Sequence, residues 1–136
     1  MTDPDATAET ITTTAAKPQE GDTMIFKPMP PHIKAAFRTE LDAARNAASS
    51  EAFWTAAERA HLLSQPWPWP HTWAHAVMLG RALRERDRVE VVGQVIRLLV
   101  AGPGSAIGRY PEGNTGRSRV PLTQTMPVPA DLLSQT

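Results

Sequence analysis

The chain has 136 residues, with 14 basic side chains balanced against 14 acidic ones, and no cysteine. That length bounds it to one domain, and the absence of thiols excludes disulfides and thiolate metal sites, leaving nitrogen and oxygen as the only metal donors. Balanced charge without a basic–aromatic stripe excludes nucleic acid as a partner, and with no uninterrupted apolar run near the roughly 18 residues of a membrane span, no membrane role is expected.

Residues 1–24 carry one lysine against five acidic side chains. They bury too little apolar surface to order themselves, so a disordered acidic tail is predicted. The basic-then-apolar order of a secretory signal is missing, which makes a cytoplasmic location the expectation. Residues 25–105 are predicted to form a helical domain. In the first helix, about 33–49, Ala36, Phe37, Leu41, Ala44 and Ala48 recur at helical spacing. Ser49 and Ser50 stop it and cap a second helix over 51–64, with Phe53, Ala56, Ala57, Ala60 and Leu63 on one face.

The corner that follows, "SQPWPWPHTWAH", packs three prolines, three tryptophans and two histidines into residues 64–75. Its prolines forbid continuation of the second helix, and a third is predicted over about 71–86. Trp54, Trp67, Trp69 and Trp73 are expected to cover the corner as core; an exposed stacking platform of Trp67 and Trp69 is the alternative. Asp87 can cap a fourth helix, with Val92, Val95, Ile96 and Leu99 as its buried stripe and Gly102-Pro103-Gly104 as its end. Residues 106–136 form an irregular Pro/Gly-rich segment. Tyr110, Leu122, Met126, Val128 and the Leu132-Leu133 pair are its expected anchors on the helices.

The fold class is therefore all-α, four helices in two helical hairpins. Leu41 and Ala44 match Leu79 and Ala82 across the two pairs, and the second pair, with Ala76, Leu79, Gly80 and Leu83, resembles a tetratricopeptide unit. That resemblance implies a protein–protein interaction module with a concave surface for a peptide or protein partner. The oligomeric state has no signature in the sequence.

Chemistry concentrates beside the corner. Glu58 and His61 are three apart on the second helix, and His71 and His75 four apart on the third, so each pair leaves one helix face. A short turn brings the end of one helix beside the start of the next, and the four side chains are expected to converge as metal ligands. Three imidazoles and a carboxylate suit zinc, nickel, cobalt or copper(II). The task would be metal handling or, with an open coordination position, a metal-assisted reaction. His32 is a further candidate ligand, and the plain alternative is a set of hydrogen-bonded rings at a packed turn. In "GRYPEGNTGRSR", the Gly113–Gly116 turn could offer amides to an anion with Arg109, Arg117 and Arg119 nearby, making Arg109, Asn114, Thr115 and Gly116 a candidate ligand loop. No nucleophile stands with an evident histidine and acid partner.

Glu58-Arg59-Ala60-His61, His71, His75, "GRYPEGNTG" and "MPVPADL" together resemble a family of short bacterial proteins catalogued as a domain of unknown function. The resemblance runs from about Phe37 to Leu132. It implies that the corner and the Gly-rich loop belong to one site. The family pattern continues that loop with Gly-Ala-Asn, where this chain has Arg117-Ser118-Arg119.

Overall fold

Capping residues and prolines set the helix limits in the computed structural model, which describes residues 27–135. The expected acidic tail over 1–24 lies outside the described residues. Helix α1 (Pro31–Arg45) opens with a proline in its first turn, where no intrahelical N–H is required. It buries Ile33, Phe37, Leu41 and Ala44. It stops at Arg45 rather than Ser49 because both the Asn46 amide and its side-chain Nδ2 turn back onto the Asp42 carbonyl. Ala48 is consequently exposed.

Helix α2 (Ser50–Ser64) is capped by the Ser49 hydroxyl, which accepts from the Ala52 amide at 3.1 Å. All five residues expected on its buried face are buried. Helix α3 (Pro68–Glu85) begins three residues before His71, because Pro68 and Pro70 both fit its first turn, where their missing donors cost nothing. Helix α4 (Arg88–Ala106) is capped by Asp87, whose Oδ1 accepts from the Glu90 amide at 3.1 Å. A last turn, α5 (Ala130–Leu133), sits in the C-terminal segment. The described residues contain no strand.

Each long helix packs on the next with short turns between them, so neighbours run antiparallel. One apolar cluster joins Ile33, Phe37, Leu41, Ala60, Leu63 and Ala74 to Leu132 of α5. A second joins Ala44, Phe53, Trp54, Ala57, Met78 and Ala82. Val128 packs against the first cluster, whereas Leu122 and Leu133 keep about half their surface in solvent.

Three expectations are corrected here. Helix α4 passes through Gly102-Pro103-Gly104 and ends at Ala106, because the returning Arg109 amide donates to the Gly104 carbonyl at 2.8 Å and Gly108 takes the turn at φ +67°. Its stripe of Val92, Val95, Ile96 and Leu99 faces solvent, Leu99 being 73 % exposed. The face turned inward carries Glu90, Gln94, Arg97, Ala101 and Ser105, whose polar atoms find partners there. The tryptophans also divide. Trp54 is buried and Trp67 packs on the core, but Trp69 is 83 % exposed and Trp73 about half exposed. By length and composition α4 is apolar enough to cross a membrane, yet Glu90 and Arg97 on it are buried against protein.

Candidate metal centre

The Pro-rich corner takes one short turn between α2 and α3, and this sets His61 at the end of one helix against His71 and His75 at the start of the next. All three rings are buried, and one ring nitrogen from each lies within 4.8 Å of the others. His61 Nε2 and His71 Nε2 are 2.9 Å apart. Three nitrogens bound at about 2.1 Å to one tetrahedral zinc lie roughly 3.4 Å apart, so the cluster is already close to ligand spacing.

Their hydrogen-bond partners fix the ring tautomers. The Ser105 hydroxyl donates to the Gln65 carbonyl at 2.5 Å, so it accepts from His71 Nδ1 at 2.7 Å. Gln94 Nε2 donates to Glu90 Oε1 and to the Gly116 carbonyl, both at 2.8 Å, which leaves Gln94 Oε1 to accept from His75 Nδ1 at 2.8 Å. Both Nδ1 atoms therefore carry the proton, and both Nε2 atoms keep a lone pair free. Histidines that bind metals are held this way, by an acceptor on the far nitrogen.

His61 differs. Its Nε2 faces the lone pair of His71, so without a cation it must donate that proton, and its Nδ1 is then a buried acceptor with no hydrogen-bond donor. The Asn114 backbone lies close enough to favour a protonated ring, although Nδ1 does not meet it in hydrogen-bonding geometry. Nδ1 is thus an orphan. A cation between the rings would take the Nε2 lone pair and leave the proton on Nδ1, on the side where the Asn114 backbone favours it. Donor type, spacing and this orphaned nitrogen all fit a divalent ion.

Electrostatics keeps the rings neutral. Burial, reinforced by the charge of its neighbour His75, pushes His71 down to about 3. Burial takes His75 down to about 4 against the opposing effect of the hydrogen bond it donates to Gln94. His61 lies well below the usual histidine range, first through burial and then through His75 and His71. Neutral imidazole is the ligating form.

Glu58 does not join the cluster. Its Oε1 accepts from Arg117 at 3.2 Å, and Arg117 Nε lies 3.3 Å from Glu90 Oε2 as an ion pair without hydrogen-bond alignment. The Arg117 guanidinium also stacks 3.8 Å from the Trp54 ring centroid. This arginine from the C-terminal segment captures the carboxylate that stood three residues from His61. Burial raises the Glu58 carboxyl above its ordinary value despite the Arg117 contact. His32 is exposed on the first turn of α1, away from the three rings.

The Gly-rich loop meets the site as a wall. Gly116 takes φ +81°, and a Cβ there would stand 3.0 Å from the His61 ring. Among the residues expected to hold an anion, Asn114 is consumed internally: Nδ2 donates to the Pro121 and Gln124 carbonyls, and Oδ1 accepts from the Gly116 amide. The Gly113 amide donates to Gln65 Oε1, and Thr115 Oγ1 faces the Arg117 amide at 3.5 Å. The Gly113 and Gly116 amides are thus taken up by protein acceptors, while Arg109 lines a cavity.

That cavity, about 370 Å³, reaches all three histidines and is otherwise lined largely by apolar side chains of α4 and the C-terminal segment. Sequence reasoning missed Ser105, Gln94, Gln65 and Glu90, which orient the ligands. Their signal was present as polar residues at 90, 94, 97 and 105, spaced by helical turns along an otherwise apolar helix.

Residues 31–135 match the model of the family described as "Protein of unknown function (DUF3703)", and the chain belongs to that family. No curated protein and no solved structure matches the chain.

Proposed function

We propose that the protein binds one divalent transition-metal ion through His61, His71 and His75, and serves in metal handling or a metal-assisted reaction. The observation that carries this reading is the pair of fixed tautomers. Ser105 and Gln94 hold the Nδ1 protons of His71 and His75, so that their Nε2 lone pairs are turned toward His61. Zinc, nickel, cobalt and copper(II) all accept three imidazole nitrogens. Held by these three residues, such an ion would supply Lewis acidity to a group bound in the cavity that reaches them.

Cobalt(II) tests the reading directly. Untagged protein should take up one equivalent and develop the visible bands of a tetrahedral site, and the His61→Ala/His75→Ala variant should not. A spectrum of hexa-aquo cobalt at every ratio would refute it.

A second reading, the interaction module, has one observation in its favour: Val89, Val92, Ile96 and Leu99 form an exposed apolar face along α4. If that face carries a protein partner, Ile96→Glu should abolish the association and leave metal uptake intact.

A further inference from the structure

We infer that the cavity over the three rings binds a small organic acid with an apolar body, its carboxylate reaching the histidine-held ion and Arg109. The inference deepens the metal reading and rests on it for one of the two carboxylate contacts. Its size, about 370 Å³, falls at the lower end of the roughly 300–1,000 Å³ typical of small-molecule sites.

Charge selects an anion. Arg97 and Arg109 line the cavity and no Asp or Glu does. Arg97 is engaged by the carbonyls of Arg117, Val120 and Gly93 and has no carboxylate in hydrogen-bonding contact. Arg109 makes no side-chain hydrogen bond or ion pair among the described residues, although its guanidinium can grip a carboxylate through two parallel N–H donors. A divalent ion on the histidines, which line the same cavity, would add positive charge that a carboxylate would seek.

The walls select an apolar body. Leu99, Val100, Ile107 and Leu122 line the cavity while leaving much of their surface in solvent, Ile107 being 67 % exposed. Contact with a hydrocarbon chain takes such side chains, and the chain's own methylenes, out of water. A phosphate or a bare acetate would leave these walls uncovered.

Hexanoate and acetate, titrated into the cobalt-loaded protein, separate the possibilities. Hexanoate should shift the visible bands of cobalt and bind at least tenfold more tightly than acetate. R109Q, altered at an exposed residue, should weaken hexanoate about tenfold and leave cobalt uptake unchanged. Cobalt bands that ignore hexanoate, or equal affinities for the two acids, would overturn the inference while the metal reading stands. If cobalt is not taken up, the metal reading fails by itself. Amide shifts of the metal-free protein then decide the cavity: saturable movement of residues 107–110 with hexanoate, weaker in R109Q, upholds it, and no movement overturns it.

Discussion

Gly116 and His61 show how tightly the site is specified at single residues. The glycine holds a positive φ and leaves no space for a methyl group beside the ring. Gly116→Ala should cost about 1–3 kcal/mol in thermal or denaturant unfolding, and displace His61 enough to weaken zinc binding. Gln94 acts one step further out. Replacing it by Leu removes the acceptor that holds the His75 proton on Nδ1, and should lower zinc affinity about 10–100-fold in a competition titration. Glu58→Gln should change that affinity less than about twofold, since the carboxylate is held by Arg117. The three histidines were legible in the sequence because i, i+4 spacing and a short turn dictate convergence. Glu58 looked equivalent by the same spacing. Its removal depends on Arg117, which arrives from 59 residues away in sequence and which no local pattern links to it.

Helix α4 inverts the usual rule that the apolar stripe faces the core. Its inward polar side chains form a connected set with His75, Gly116, Arg117 and Ser118, and each is stabilised by the partner it meets there. Periodicity located the helix and its cap correctly but could not tell which stripe was buried, because the partners of the polar stripe come from other elements. The same blindness applied to Gly102-Pro103-Gly104, which reads as a stop until a returning strand of chain supplies a hydrogen bond to the last turn. Two substitutions test the inversion. Ile96→Gln, on the exposed stripe, should alter unfolding free energy by no more than about 0.5 kcal/mol. Glu90→Leu should destabilise by roughly 1–3 kcal/mol, because it strands one N–H of the Gln94 amide and the Ser118 N–H.

At the scale of the whole molecule, three neutral histidines make the metal-free fold sensitive to acid. In the unfolded chain they titrate near pH 6.5, whereas in the folded chain His75 and His71 titrate near 4 and 3. The unfolded state therefore binds more protons below pH 6.5, and stability present above that pH is lost as pH falls toward 4 and 3. His75 alone accounts for a loss on the order of 3 kcal/mol across that window. Unfolding of the metal-free protein measured between pH 7.5 and 4 should show this decline, and His75→Ala should flatten it. If the triad takes up zinc as proposed, mass action should stabilise the folded form at pH 7 by about 2.7 kcal/mol at a hundredfold excess over Kd. Calorimetric titration of untagged protein with zinc at pH 7.5 decides whether the triad holds one such ion. Saturation at one ion per chain is expected, and its loss in the His61→Ala/His75→Ala variant; no saturable uptake, or equal uptake by both proteins, would rule out the triad as a metal site.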